Sequence, residues 1–243
     1  MSASVVGLAL ILLCSWPALA QDAVAITMDQ EPHHHLILQN DYVKVFNVEV
    51  SPGDSIVLHR HDQDTVAIAI GDQLVTVGIP GKPDVHQKNA DAQVRLQRSG
   101  YVHSTRVDGD TPYRTVAVEL MKPQTNFHNV CREVLSGQPL NCPDAAMKDS
   151  GAYSSQILLA SGETQVRLVS VHPHRAMSPA DFPFAAVIVA LDPAALPSGS
   201  AKRKGKAMQP GEFVWLESRH GRPYQNSGDK DARFIEIRFP QSE

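Results

Sequence analysis

The chain has 243 residues, 42% of them hydrophobic, with 22 Lys and Arg against 26 Asp and Glu for a formal net charge of -4. That balance gives nucleic acid or an anionic membrane surface no electrostatic hold on it. The length allows one large or two small domains.

The first twenty residues, MSASVVGLALILLCSWPALA, carry no charged side chain, and their apolar run from Val5 to Trp16 ends in Ala-Leu-Ala. This is the pattern of a secretory signal peptide cleaved after Ala20, and the run is short for a membrane span. The expectation is a periplasmic or secreted protein, with no membrane insertion after cleavage. Cleavage removes Cys14 and leaves Cys131 and Cys142. In an oxidising compartment these two are expected to form a disulfide across CREVLSGQPLNC.

From His35 onward the chain reads as short runs rich in β-branched residues, punctuated by Pro, Gly, Asn and Asp. VKVFNVEV, SIVLHRH, TVAIAIG, QLVTVGI, AQVRLQ and YRTVAVEL are strand candidates, and only Asn129 to Gly137 hints at a helix. The tract His33-His34-His35 opens the first run, where alternation puts His33 and His35 on one face at a barrel rim. Lys202, Arg203, Lys204 and Lys206 lie among Gly and Ser and read as a solvated loop tip. Many short, evenly spaced strands imply a sandwich or a barrel. No P-loop, dinucleotide fingerprint or Ser-His-Asp arrangement is visible.

The chain also repeats itself. At a shift of 121, His35-Leu36-Ile37-Leu38 falls on Gln156-Ile157-Leu158-Leu159 and VKVFNVEVSPG on TQVRLVSVHPH, and further on TVAIAIGD meets AAVIVALD at a shift of 120. At a shift of 119, VDGDTPYRTVAVEL falls on NSGDKDARFIEIRF. Two sequential copies of one all-β unit follow, joined by the segment around the cysteine pair.

Within SIVLHRHDQDTVAIAIGD, His59 and His61 sit two residues apart on one strand and therefore share a face. Two neutral imidazoles at that spacing can grip one metal ion if a third ligand comes from another strand. His103, in RSGYVHSTRVDGD, reads as lying just before a strand of the same unit and is the candidate.

These residues carry a family resemblance. PGDSIVLHRH, an acidic residue, Gly71, and then Gly-x-x-His at Gly100 to His103 resemble the two motifs of the cupin superfamily. The repeat makes the chain resemble a two-domain cupin. The resemblance implies an all-β protein of two tandem jelly-roll-like barrels (double-stranded β-helices), each of six to eight antiparallel strands. Its parts would be a signal peptide over 1–20, a metal-binding barrel over 30–122, a linker with the disulfide over 123–152, and a degenerate barrel over 153–243. It further implies one divalent transition metal ion, Fe, Mn, Ni or Zn, held by His59, His61 and His103. The family's usual Glu falls on Thr65 or Val66 when counted from His61, and on Asp64 when counted from Gly71. Three His alone, or three His with Asp64, are both open.

The second copy lacks these ligands. His59 falls on Ala180, His61 on Phe182 and His103 on Arg222, so the second barrel is expected to be metal-free and to pack against the first, covering sheet edges. His172 and His174 fall on the turn around Pro52 and not on the ligand strand. Glu119, inside TVAVEL, is a candidate general base if it faces inward, and otherwise meets solvent or Arg114. Tyr101, together with Tyr113, is a candidate for hydrogen bonding to substrate. The resemblance implies a metal-dependent enzyme acting on a small organic molecule, with dioxygenase chemistry placed ahead of isomerase or lyase chemistry. The alternative is a non-catalytic periplasmic metal or small-ligand binding or sensor protein. A homodimer is left open.

Overall fold

The computed structural model describes residues 24–181, 183–193, 208–217 and 224–240. The leader, the basic cluster at 202–206, Phe182 and Arg222 lie outside the described residues.

The first unit contains β1 (Ile26–Thr27), β2 (His34–Gln39), β3 (Val43–Val50), β4 (Ser55–Arg60), β5 (Thr65–Ala69), β6 (Gln73–Gly78), β7 (Val85–Asn89), β8 (Val94–Gln97), β9 (Val102–Val107) and β10 (Tyr113–Leu120). They form two five-stranded sheets, ordered β1-β4-β9-β6-β7 and β2-β3-β10-β5-β8. This exceeds the six to eight antiparallel strands expected. The N-terminal arm starts ahead of residue 30 and adds β1, which runs parallel to β4. The polar strand β7, VHQKN, has no apolar alternation that would reveal it in the sequence.

The second unit contains β11 (Lys148–Asp149), β12 (Tyr153–Ala160), β13 (Gln165–Val171), β14 (Ala176–Met177), β15 (Ala185–Ala190), β16 (Phe213–Leu216), β17 (Tyr224–Gln225) and β18 (Ala232–Phe239). One six-stranded sheet is ordered β11-β12-β13-β18-β15-β16, faced by the two-stranded β14-β17.

Alternation along each strand sorts the side chains into three cores. On β3, Phe46, Val48 and Val50 face the interior of the first barrel with Ile56, Val107 and Ala117. Val43 and Val45 point the other way, into a core that also takes Val66, Ile68, Val116 and Val118 from the first unit. From the second unit that core takes Leu158, Leu159, Val187, Ile235 and Ile237. The two units are thus glued by one sheet-on-sheet apolar layer, which explains why β5 and most of β10 are buried on both faces. A third core, around Val169, Met177, Ile188 and Phe234, fills the second barrel.

The segment around Asn129 to Gly137 is not helical. The Asn129 side chain accepts from the backbone N–H groups of Cys131 and Arg132. Its amide donates to the carbonyls of Leu140 and Leu158 at 2.7 and 2.5 Å. Such side-chain bonds replace helical ones. Cys131 and Cys142 are joined as a disulfide, with Cα atoms 5.8 Å apart. The closed loop runs along the edge of β8, where Gly137 N–H donates to Leu96 O and Leu140 N–H to Val94 O, both at 2.8 Å. The linker, and not the second barrel, therefore covers that sheet edge.

Candidate metal centre

Three imidazoles converge inside the first barrel. His59 near the end of β4 pairs directly with His103 on β9, after a register shift between Ile56 and His59. His103 lies within β9 and not ahead of it. His61 follows β4, its N–H donating to Tyr101 O at 3.0 Å while Gly100 N–H donates to its carbonyl at 2.8 Å. Gly100 has φ +84°, a left-handed conformation that makes this return possible and that side chains disfavour. His59, His61 and His103 are 1%, 3% and 8% exposed, and each offers a ring nitrogen within 4.8 Å of the others.

The outward-facing nitrogens decide what the inner ones can do. His59 Nδ1 lies 3.0 Å from Val57 O, a pure acceptor, so it carries the proton and leaves Nε2 with a lone pair. His61 Nδ1 lies 3.1 Å from Thr65 Oγ1, whose own hydrogen goes to Gln63 O. The hydroxyl can only accept from His61, so His61 Nε2 is also a bare lone pair. His103 Nδ1 faces Thr105 Oγ1 at 3.5 Å, and its Nε2 stands 3.0 Å from His61 Nε2. His59 Nε2 is buried without any hydrogen-bond partner. Burial, reinforced by the charge of His34, brings the His59 pKa down to about 4. Burial first, and then the neighbouring imidazoles, holds His61 and His103 well below the usual value. Three neutral imidazoles, of which His59 and His61 have oriented outer N–H groups and inward lone pairs and His103 can turn its own lone pair inward, are a donor set suited to a divalent transition ion.

Asp64 is not among the converging groups. Its Oδ1 accepts from Arg98 Nε and Ser99 N–H, both at 2.9 Å, which ties the β4–β5 corner to the turn before β9. Thr65, standing where the family's Glu is one option, holds His61 through its hydroxyl. The sequence offers signals for both threonines: Thr65 opens the strand after the His61 corner, and Thr105 is two residues from His103 on the same face. Glu31 is a further partner that sequence reading missed. Its buried carboxylate accepts from His34 Nδ1 at 2.7 Å, His33 Nδ1 at 3.2 Å and His33 N–H at 2.8 Å. Burial pushes its pKa up, but these hydrogen bonds outweigh burial and hold it at about 2. The His34 ring then rests 4.9 Å from that of His59. The His tract thus serves by His33 and His34 gripping Glu31, while His35 is exposed.

Glu119 faces the barrel interior, on the same side of β10 as Ala117 and opposite Thr65 in the ladder. It is 4% exposed, and Lys44 Nζ lies 3.9 Å away. Burial raises its pKa to about 7, against the pull of Lys44 and with some help from Asp29 and Asp62. Arg114 is not its partner and donates instead to Pro210 O. The Tyr101 ring lies 4.9 Å from His103 and 6.2 Å from His61, and burial raises its phenol pKa. Tyr113 packs, partly buried, against the interior core.

In the second barrel the corresponding end is filled by charge pairs. Ala180 falls in a short 3-10 turn, Pro179–Asp181, and Asp181 O accepts from Arg238 Nη2 at 2.7 Å. Glu236, fully buried, receives Arg167 through its Nε at 2.8 Å and its Nη2. Arg238 Nε lies 2.7 Å from the other Glu236 oxygen. These positions match Phe46, Ala117 and Glu119 of the first barrel. His172 lies between Asp149 and Asp231, and His174 against Asp229, at the turn.

No family model matches the sequence, and neither does any curated protein sequence. Solved structures do resemble the fold. AerE from Microcystis aeruginosa is 9% identical with TM-score 0.55, covering 87% of this chain and 99% of its own. A cupin 2 conserved barrel domain protein from Leptotrichia buccalis is 10% identical with TM-score 0.53, covering 84% and 87%. Salicylate 1,2-dioxygenase from Pseudoaminobacter salicylatoxidans, solved with gentisate, is 9% identical with TM-score 0.55, covering 82% and 68%. The chain therefore has the fold of the cupin superfamily, as two tandem barrels of which the first carries the three-histidine cluster.

Proposed function

We propose that the first barrel is the reaction chamber of a metal-dependent enzyme acting on a small organic molecule. The observation that carries this reading is the set of three buried, neutral imidazoles, with the outer N–H groups of His59 and His61 directed at Val57 O and Thr65 and with His103 facing Thr105. An ion of Fe, Mn, Ni or Zn bound by His59, His61 and His103 would supply Lewis-acid, water-activating or oxygen-activating chemistry through its exchangeable positions. The chain's own residues hold that donor set in place and exclude water from it. Tyr101, beside His61 and His103, is positioned to hydrogen-bond a bound molecule. Glu119, with a pKa of about 7, can take or give a proton at neutral pH. That poised carboxyl favours an enzyme over a non-catalytic binding or sensor protein. The salicylate 1,2-dioxygenase neighbour supports oxidoreductase chemistry on a small organic acid. We also infer export, which the apolar leader and the Cys131–Cys142 disulfide support.

The test pairs metal analysis of purified protein with oxygen uptake and product analysis over a panel of small phenolic and hydroxy acids. Turnover that disappears in Glu119→Gln while the metal stays bound supports the enzyme reading. Bound metal with tight ligand uptake and no turnover would favour the binding protein instead.

A further inference from the structure

The two units also share a cavity of about 250 Å³. Its walls in the first unit are Tyr42, at the turn from β2 to β3, and Lys122, just past β10. In the second unit they are Glu163 and Thr164, at the turn from β12 to β13, and Phe239, which closes β18. Tyr42 and Phe239 both pack on the core between the barrels, so the cavity lies outside the interior of the first barrel. It exceeds the roughly 150 Å³ that accepts a benzene ring in a protein interior. Two of its walls are aromatic: the Phe239 and Tyr42 ring centroids lie 5.4 Å apart at an angle of 49°. Such walls favour a further ring.

The polar walls set what the other end of an occupant must be. Thr164 is 1% exposed and stands on the face of Val166, which points into the core between the barrels. Its backbone N–H and carbonyl are both engaged by Ser161, but its Oγ1 is buried without any partner. A buried hydroxyl without an acceptor is costly until something supplies one. Lys122 is exposed, with its Nζ 5.6 Å from the centroid of the Tyr42 ring, and it makes no ion pair among the described residues. Glu163 is turned to Thr125 instead, accepting from its N–H and its hydroxyl, both at 2.8 Å. An ammonium without a counter-charge and an orphaned hydroxyl donor together suit an anionic acceptor.

We propose that this cavity is a second small-molecule site, which binds a small aromatic carboxylate with its ring against Tyr42 and Phe239, its charge on Lys122 and one oxygen receiving the Thr164 hydroxyl. Because the walls come from both units, the occupant ties the two barrels together. The site is independent of the histidine cluster and stands whether or not the first barrel is a reaction chamber.

The test is a titration with benzoate, benzamide and acetate, followed by ligand-observed NMR. It is run on the protein as purified and again after metal removal by chelation, because benzoate can also bind a metal ion. Benzoate is expected to bind both forms with a Kd on the order of 1 mM and to raise the thermal midpoint. Benzamide, which lacks the charge, and acetate, which lacks the ring, should each bind roughly fivefold more weakly or worse. Lys122→Met should weaken benzoate roughly fivefold. Thr164→Val should weaken it roughly tenfold without lowering the midpoint of the ligand-free protein, since the hydroxyl has no partner to lose. Benzoate binding that is undetectable at about 10 mM, that vanishes with the metal, or that benzamide equals would overturn the proposal. So would either variant binding benzoate like the wild type.

Discussion

His61 Nε2 and His103 Nε2 lie 3.0 Å apart inside the first barrel, although 42 residues separate them in the chain. The His61 atom is a bare lone pair, because Thr65 Oγ1 can only accept from His61 Nδ1. His103 can answer it by donating its own Nε2 proton, or both can turn their lone pairs to a cation. The buried, unpartnered His59 Nε2 has no such internal remedy, so the cluster is left one donor short without an ion. This is the physical reason to read it as a metal centre and not as three satisfied core histidines.

Thr65 tests how the ligands are oriented. Thr65→Val keeps the shape of the side chain and deletes the acceptor for His61 Nδ1. Metal affinity is expected to fall about 10- to 100-fold, measured by competition with a chromogenic chelator. The urea midpoint should change little by comparison. Unchanged affinity would mean that Thr65 does not set the His61 tautomer.

Glu119 should make stability depend on pH. The folded protein keeps its proton up to about pH 7, whereas the ordinary value is 4.5. Between those values the folded state binds more protons than the unfolded one, so stability falls as pH rises through this window and is level above it. Glu119→Gln removes that loss. The variant should match the wild type near pH 4.5 and exceed it by up to about 3 kcal/mol near pH 8, read from urea unfolding at both ends. A difference that does not grow with pH would contradict the assignment.

In the second barrel, Glu236 lies fully buried between Arg167 and Arg238. Glu236→Gln leaves two buried guanidinium groups without their counter-charge and is expected to cost about 3–5 kcal/mol. Replacing Arg167, Glu236 and Arg238 together by apolar residues of similar volume should recover most of that loss, seen as a restored thermal midpoint. A near-neutral Glu236→Gln would show that water reaches this end of the barrel.

The disulfide should stabilise the linker by closing a short loop. Converting Cys131 and Cys142 to Ser is expected to cost about 3 kcal/mol, visible as a lower urea midpoint that reducing agent no longer changes.

Much of this was legible in the sequence for physical reasons. Strong alternation revealed β3, β4, β5, β6, β8 and β10, and two-residue spacing put His59 and His61 on one face. Where polar side chains compete with the pattern, legibility failed. Strand β7 has little apolar alternation, and His103 was placed ahead of a strand because VHSTRV is apolar only at its ends. The apparent helix at Asn129 dissolved into side-chain-capped turns, which depend on partners at Leu140 and Leu158 that local sequence does not reveal. Asp64 illustrates the same limit: its spacing suits a ligand, but Arg98, 34 residues on, claims its carboxylate. Glu31 could not be singled out at all, since what marks it is the burial of its carboxylate, which the neighbouring His33 and His34 do not reveal.

The most direct test is metal content by elemental mass spectrometry on purified full-length protein, as isolated and after separate reconstitution with Fe, Mn, Ni and Zn. The account predicts about one transition metal ion per chain, lost when His59, His61 or His103 is replaced by Ala in a protein that still melts cooperatively. Wild-type protein that stays metal-free in every reconstitution, or a His59→Ala, His103→Ala double variant that keeps its metal, would contradict it.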